Sequence, residues 1–143
     1  MNGGRAFLDT NVLVYLYSSE EPAKRNTCID AVENHIRIIS TQTLNEFCNV
    51  LFKKKDLNSD NVRAALRDAN RFAQIAYIDT TTIERAVTLK DRYGYSYYDS
   101  LMLASALESG CEIIFSEDMS DGQIIEGRLK IINPFKVDNI SKN

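Results

Sequence analysis

Short apolar segments alternate with helical segments along almost the whole sequence, and this alternation limits the available folds more than any other feature. The predicted strands are Arg5–Asp9, Ile36–Ser40, Ile75–Ile78, Glu112–Phe115 and Leu129–Ile132. They are continuous apolar runs, which is typical of strands that are buried on both faces. We therefore predict an α/β fold in which helices cover both faces of a central, mainly parallel sheet of about five strands.

The segments between the strands carry helix signals. In TQTLNEFCNVLFKKK, apolar residues recur at the spacing of one helix face, at Leu44, Phe47, Cys48, Leu51 and Phe52. A further helix over Thr80–Tyr93 is expected to end at Gly94, a typical C-terminal cap. The other predicted helices are NVLVYLY, about Pro22 to Asn34, about Asn58 to Phe72, and a segment that begins near Asp99 and ends at Gly110.

Length and composition indicate one globular domain over residues 1–143. Hydrophobic residues make up 44% and charged residues 26% of the chain, as is usual for a globular protein. No stretch approaches the roughly 18 consecutive apolar residues of a membrane span, and no signal-peptide pattern is present. We expect a cytoplasmic protein without membrane contact, whose last residues, about 136–143, form a flexible tail.

The sequence offers little support for cysteine or histidine chemistry. Cys28, Cys48 and Cys111 are widely spaced and form no CxxC motif, which argues against a disulfide framework and a thiolate zinc site. The one histidine, His35, precedes the apolar run IRII and is interpreted as a helix end. A net charge of −3 argues against a globally basic nucleic-acid-binding face. Any chemistry must therefore rely mainly on carboxylates.

Several acids are expected at one edge of the sheet. Asp9 closes the first strand, Asp118 follows the fourth, and Asp99 begins a helix that leads into the fourth strand from its opposite end. Glu46 points away from the apolar stripe of its helix. Ligands bind at the carboxyl ends of the strands in open parallel sheets, so this edge is the predicted site.

Each acid also has a purely structural interpretation. Asp9 and Asp99 are suitable helix caps, Glu46 suits an exposed helix position, and Asp118 and Asp121 suit a turn. If the acids converge, however, two charges about 5 Å apart repel each other by roughly 3 kcal/mol at an effective dielectric constant near 20. Such a cluster must share protons or bind a cation, and oxygen ligands favour Mg²⁺ or Mn²⁺.

Four segments together resemble the PIN-domain ribonucleases, and in particular the VapC-type toxins of prokaryotic toxin–antitoxin modules. These segments, in chain order, are FLDTNVLVYLY, TQTLNEFCNVL, SYYDSLMLASALESGCEIIFSEDMSDGQ and LKIINPF. The resemblance implies a PIN-like three-layer domain with endoribonuclease activity that depends on Mg²⁺ or Mn²⁺. It also implies an RNA substrate, a small antitoxin partner that blocks the active site, and a homodimer.

The resemblance further implies roles for individual residues. Asp9, Glu46, Asp99 and Asp118 match the catalytic, metal-binding acids of the family. Asp9 and Asp99 are expected to hold the principal metal. Glu46 is expected to act through a metal-bound water or as general base, and Asp118 to complete the site or hold a second ion. Three further positions match supporting residues of the site, namely Asn11, Ser116 and, as an additional acid acting through a water, Asp121.

Two other classes of function remain open from the sequence alone. An aspartate-dependent phosphatase needs a second acid where Asn11 stands, and a phosphoacceptor domain would use Asp79 as its acceptor. A PIN-like module that only binds protein is the other alternative, and four intact acids argue against it. Four tyrosines crowd the segment before Asp99, and they suit either packing or the stacking of unpaired bases: Tyr93, Tyr95, Tyr97 and Tyr98.

Overall fold

The computed structural model describes residues 3–136 of the chain. The strands are β1 (Arg5–Leu8), β2 (Ile36–Ser40), β3 (Gln74–Ala76), β4 (Ile113–Phe115), β5 (Ile124–Ile125) and β6 (Leu129–Ile132). The helices are α1 (Thr10–Tyr17), α2 (Pro22–Val32), α3 (Thr41–Lys53), α4 (Ser59–Phe72), α5 (Thr80–Tyr93) and α6 (Tyr97–Glu108), followed by a 3₁₀ turn at Pro134–Lys136. Apart from Lys136, the predicted tail lies outside the described residues.

All six strands belong to one sheet with the order β3-β2-β1-β4-β6-β5. Neighbouring strands are parallel except for β5, which pairs antiparallel with β6. The mainly parallel sheet is confirmed, but it has six strands where we predicted about five. The two-residue strand β5 is the one that was missed, because Ile124 and Ile125 are too few to show a strand pattern.

The chain leaves β1 in one direction to form β2 and β3, and later returns to form β4 on the other side of β1. The crevice between β1 and β4 is therefore the point at which the strand order reverses. Ligands bind at such switch points in open α/β sheets. Asp9 follows β1 directly and Asp118 lies three residues after the end of β4, so both acids flank this crevice.

Successive side chains of a strand point to opposite faces of the sheet, and each face packs in its own hydrophobic core. Phe7, Ile38 and Ile114 pack with α5 and α6 on one face of the sheet. Ala6 and Leu8, on the other side of the same strand β1, pack with α1 to α4 on the opposite face. The result is the predicted three-layer α/β/α arrangement.

Helix α6 is buried around most of its circumference, because every residue from Ser100 to Leu107 is buried. An all-round buried helix is held firmly by its neighbours. Helix α3 differs, since Phe47 and Leu51 are buried as predicted whereas Phe52 is 46% exposed. The predicted apolar stripe was therefore wrong at Phe52. Within residues 3–136, no helix is long and apolar enough to cross a membrane.

Candidate active site at the carboxyl edge of the sheet

Asp9 is the most buried acid at this edge, with 8% of its surface exposed. It is the N-terminal cap of α1, where its Oδ1 accepts a hydrogen bond from the backbone N–H of Thr10 at 2.7 Å. Its Oδ2 accepts a second hydrogen bond from the hydroxyl of Ser116 at 2.8 Å. The capping interpretation is therefore correct for Asp9, and it does not exclude a second role, because both oxygens retain free lone pairs.

Burial raises the pKa of Asp9 to about 6, against the opposing effect of the hydrogen bonds from Ser116 and Thr10. The negative charges of Asp99 and Glu46 raise it further. The carboxyl group is thus costly to ionise where the fold places it. A cation bound at this edge would offset the free-energy cost of ionising Asp9, both the part due to burial and the part due to repulsion by Asp99 and Glu46.

Asp99 lies in the first turn of α6, but it is not the cap of this helix. Ser96 is the N-terminal cap, and its hydroxyl oxygen accepts a hydrogen bond from the backbone N–H of Asp99 at 3.2 Å. Burial raises the pKa of the half-buried Asp99, and the nearby charges of Asp118 and Glu46 raise it as well. Asp99 is therefore not the cap, but it places a negative charge in the first turn of α6, as the structural interpretation also allowed, and a hydrogen bond with the Ser96 side chain opposes the rise in its pKa.

Glu46 joins the edge from the second turn of α3. Its Oε1 accepts a hydrogen bond from the Thr10 hydroxyl at 2.6 Å, and its Oε2 accepts one from Nε2 of Gln42 at 2.9 Å. Thr10 directly follows Asp9, so this contact connects α3 to the end of β1. Glu46 is half-buried and off the apolar stripe, as its helical position predicts.

Asp118 is the exposed member of the group and lies in the loop after β4. Its Oδ2 accepts a hydrogen bond from Nδ2 of Asn11, on the first turn of α1, at 3.1 Å. Ser116 anchors the same loop, since its hydroxyl oxygen also accepts the backbone N–H of Met119 at 3.2 Å. Asn11 thus contacts Asp118 and Ser116 contacts Asp9, and their supporting roles in the site stay a prediction.

Asp121 has a different surrounding. Its Oδ1 accepts a hydrogen bond from the backbone N–H of Asn133 at 2.8 Å, so it closes the turn beyond β6. It is not among the charges that act on Asp9 or Asp99. Its predicted role as a further acid of the site stays a prediction, and its contact supports a turn residue.

We call Asp9, Glu46, Asp99 and Asp118 the acidic centre. None of the five ion pairs formed within residues 3–136 involves any of these four side chains. The donor set consists of carboxylate oxygens with no lysine or arginine to neutralise them, which suits a hard divalent cation such as Mg²⁺ or Mn²⁺. As the side chains stand within residues 3–136, however, no three acidic, histidine or cysteine residues lie close enough together to hold a metal ion.

Glu117 lies beside Asp118 in sequence and has the opposite surroundings. Its carboxylate accepts hydrogen bonds from Nζ of Lys24 at 2.8 Å and from the Tyr15 hydroxyl at 2.7 Å. Nζ of Lys24 also lies 4.8 Å from the ring centroid of Tyr15 and 5.0 Å from that of Phe135. We call these four residues the Lys24 cluster; it holds the loop after β4 against α1 and α2.

Sequence reasoning missed the residues that hold the acids in place. Thr10 and Gln42 both bind Glu46, and each had a signal: Thr10 is adjacent to Asp9, and Gln42 lies four residues before Glu46 on the same helix. Lys24 had no signal, because its pairing with Glu117 spans 93 residues.

Other candidates lie away from the acidic centre or have structural roles. Asp79 is the cap of α5, in a reciprocal capping box with Thr82, so it is not a free phosphoacceptor. His35 lies at the opposite end of β2 and packs edge-on against Phe115, with ring centroids 5.5 Å apart. It ends the turn after α2, as interpreted from the sequence.

A family model described as the PIN domain matches residues 6–120 of the chain. No curated protein matches it in sequence. Among solved structures, a toxin–antitoxin complex from Klebsiella pneumoniae contains a chain with 25% identity and a TM-score of 0.69, covering 90% of this chain and 97% of that one.

Two further solved structures share the fold at lower identity. The sarcin-ricin-loop-cleaving toxin VapC20 of Mycobacterium tuberculosis is 21% identical with a TM-score of 0.64, over 86% of this chain and 98% of that one. A chain of VapBC2 from Rickettsia felis, in a complex bound to a promoter DNA fragment, is 16% identical with a TM-score of 0.64, over 90% and 98%.

Proposed function

Since the family model spans most of its length, the chain belongs to the PIN-domain family, and we propose on this premise that it is a metal-dependent endoribonuclease. The observation that carries the proposal is the acidic centre itself. The charges of Asp99 and Glu46 act on Asp9 and those of Asp118 and Glu46 act on Asp99, and no basic side chain of the described residues pairs with any of the four. Unpaired acids whose pKa values are raised by burial and mutual repulsion destabilise the ionised protein, and such groups are typical of functional sites.

Asp9 and Asp99 are the residues proposed to hold Mg²⁺ or Mn²⁺ directly, with Glu46 and Asp118 completing the site. When bound, the cation supplies neutralisation of the phosphodiester charge and activation of the attacking water. Ser116 orients Asp9, and Thr10 with Gln42 orients Glu46. Asn11 restrains the exposed Asp118 in the same way.

Glu46 is the best-placed general base among the four acids. Both of its oxygens are already hydrogen-bonded, which fixes the carboxylate and leaves one lone pair on each oxygen to accept a proton from water. Hydrolysis by water predicts 5′-phosphate and 3′-hydroxyl products without any histidine. His35 lies at the far end of its strand and is not needed.

We further propose that the protein is the toxin of a type II toxin–antitoxin pair, acts in the cytoplasm and forms a homodimer. Support for the antitoxin comes from the solved structures that share the fold, among which are a toxin–antitoxin complex and VapBC assemblies. The antitoxin would block the acidic centre. RNA as the substrate is supported by the printed description of VapC20 as a toxin that cleaves the sarcin-ricin loop.

Cleavage of a mixed RNA pool by the purified protein, freed of any partner, tests the proposal. We expect cleavage with Mg²⁺ or Mn²⁺, none with EDTA, and a loss of at least about 100-fold in Asp99→Asn, because a direct ligand should matter more than the 10–100-fold typical of outer-shell residues. Glu117→Gln is the matched control, since it removes an acid that already has a lysine partner.

Circular dichroism should show that both variants remain folded, and the new 5′ ends should be phosphorylated. Equal cleavage by the wild type and Asp99→Asn would contradict the proposal and return the acids to structural roles. No cleavage of any RNA together with no metal binding would instead favour a PIN-like module that only binds protein.

A further inference from the structure

A cavity of about 550 Å³ opens beside the acidic centre, between α3 and the first turn of α6. This volume lies within the roughly 300–1,000 Å³ of small-molecule pockets. Its wall is formed largely by Thr41, Gln42, Asn45, Glu46, Ile78 and Tyr98. Glu46 belongs both to this wall and to the acidic centre, so a group that fills the cavity lies next to the proposed site of cleavage.

Tyr98 differs from Tyr93 and Tyr95, and the ring of Tyr97 packs edge-on against it with the ring centroids 5.3 Å apart. The hydroxyls of Tyr93 and Tyr95 are engaged by Glu126 and Gln123, which explains both residues by packing. Tyr98 is 63% exposed, and its hydroxyl makes no hydrogen bond within residues 3–136. Exposure of a large aromatic ring at the rim of a cavity costs hydrophobic stabilisation and is typical of a contact surface.

Gln42 connects Tyr98 to Glu46 by hydrogen bonds. Its Nε2 donates hydrogen bonds to the backbone carbonyl of Tyr98 at 3.0 Å and to Oε2 of Glu46 at 2.9 Å. The residue is only 8% exposed, and its Oε1 has no hydrogen-bond partner among the described residues. Through Nε2, Gln42 fixes the backbone of Tyr98 relative to the carboxylate of Glu46, so one buried side chain links the two sides of the cavity.

The charge of the wall selects the chemical class of the occupant. Glu46 is the one carboxylate in the wall, and no lysine or arginine of residues 3–136 contributes to it. A phosphate group would be repelled there. An uncharged, planar heterocycle would instead stack on Tyr98 and present ring or amino N–H groups to the acceptors of Asn45 and Glu46.

We propose that this cavity binds an unpaired nucleobase of the substrate strand, adjacent to the scissile phosphate, with the ring of Tyr98 as its stacking platform. The inference rests on the proposed function, because it assigns a subsite of the same RNA-cleaving centre. Stacking on one aromatic ring is tolerant of base identity, so the subsite selects single-stranded over paired RNA rather than one sequence.

The test measures binding of a fluorescein-labelled, random-sequence 12-nucleotide RNA to the Asp99→Asn protein by fluorescence anisotropy. In that background we compare Tyr98→Ala, Tyr98→Phe and the control Tyr77→Ala. Tyr77 is 78% exposed but lines a different cavity, next to Gln74 and Ile75. Tyr98→Ala is expected to weaken binding by about 5- to 150-fold, which corresponds to 1–3 kcal/mol for one stacked base.

Tyr98→Phe should bind like its parent, because the ring is retained, and Tyr77→Ala should have no effect. In the wild-type background, Tyr98→Ala should raise KM with kcat within about twofold, since the ring binds a base that does not react. A 12-base-pair RNA duplex should show no difference among the variants.

Three results would overturn the inference. If Tyr98→Ala binds the single strand as tightly as its parent, or if Tyr77→Ala weakens binding equally, the subsite is wrong although the nuclease proposal stands. If the Asp99→Asn parent fails to bind RNA and the wild type fails to cleave it, the proposed function itself is wrong, and the subsite with it.

Discussion

Glu117 and Asp118 are neighbours in one loop, yet they belong to regions with opposite electrostatics. In the Lys24 cluster, burial of Glu117 is outweighed by hydrogen bonds from Lys24 and Tyr15, and the pKa of Glu117 is lowered. In the acidic centre, burial and mutual repulsion raise the pKa values of Asp9 and Asp99. Glu117 stabilises the fold through its lysine partner, whereas Asp118, one residue later, belongs to a group of acids that form no ion pair within residues 3–136.

The difference separates a structural use of carboxylates, in Glu117, from the proposed functional use in the acidic centre. In the Lys24 cluster, the charges of Lys24 and Glu117 form an ion pair that fixes the loop after β4. The acidic centre keeps its charges unpaired and is therefore free to bind an ion. A region that is destabilised by its own charges is a common signature of a functional site.

The largest expected effect is that Asp9→Asn stabilises the metal-free protein at neutral pH. The folded-state pKa near 6 lies above the reference value of 3.8, so ionisation of Asp9 opposes folding as pH rises through 6. This penalty is about 3 kcal/mol at pH 7.5 and about 1 kcal/mol at pH 4.5. Urea unfolding of both proteins in EDTA at these two pH values measures it.

The amide of asparagine can still cap α1 and accept from Thr10, which makes Asp9→Asn a mild change of shape. The gain in unfolding free energy should shrink by more than half at the lower pH. A variant that is less stable than the wild type at both pH values would show that Asp9 stabilises the metal-free fold.

A somewhat smaller effect is expected from the metal. Mg²⁺ or Mn²⁺ at 100 times its Kd should stabilise the wild type by about 2.7 kcal/mol, because it binds the folded state alone. Asp99→Asn should lose this stabilisation, and Glu117→Gln should keep it. Thermal unfolding across a metal titration checks the expectation, and an equal response of all three proteins would place the ion elsewhere.

The smallest effect is expected in the Lys24 cluster. Glu117→Gln should lower the unfolding free energy by about 0.5–1 kcal/mol at pH 7, as for a partly exposed ion pair. The pKa of Glu117 is lowered below its reference value of 4.5, so its contribution is present above pH 4.5 and lost as the pH falls through the folded-state value.

Glu117→Gln and Asp9→Asn should therefore differ from the wild type in opposite directions at neutral pH, and both differences should decrease in acid. Chemical unfolding of the three proteins between pH 4 and pH 7.5 compares the two regions directly. A stabilising effect of Glu117→Gln at pH 7 would contradict the comparison.

Local patterns predicted most of the fold, and the resemblance to the PIN family is confirmed. Ile36–Ser40, Thr80–Tyr93 and Leu129–Ile132 have the predicted bounds. Gly94 ends α5 with a φ of 81°, a conformation that favours glycine, which is why its position was visible in the sequence. Ile124–Ile125 had no such signal, because its pairing with β6 comes from the tertiary structure.

The candidate site was predictable to the level of which acids meet, because the carboxyl ends of parallel strands share one edge. The pairing of charges around the site could not be predicted from the sequence. The contrast between Asp118 and Glu117 depends on Lys24, which reaches the loop from α2 only in the folded chain. The single-domain organisation and the catalytic roles of the four acids stay predictions.

The pairing of β1 with β4 has a consequence for synthesis of the protein. Asp9 receives its hydrogen bond from Ser116, which lies 107 residues later in the chain, and Asp118 follows two residues after that. A nascent chain on the ribosome carries Asp9 and Glu46 long before their partners exist. The acidic centre therefore assembles only after residue 118 has left the exit tunnel, so the proposed RNA cleavage cannot begin while most of the chain is still being translated.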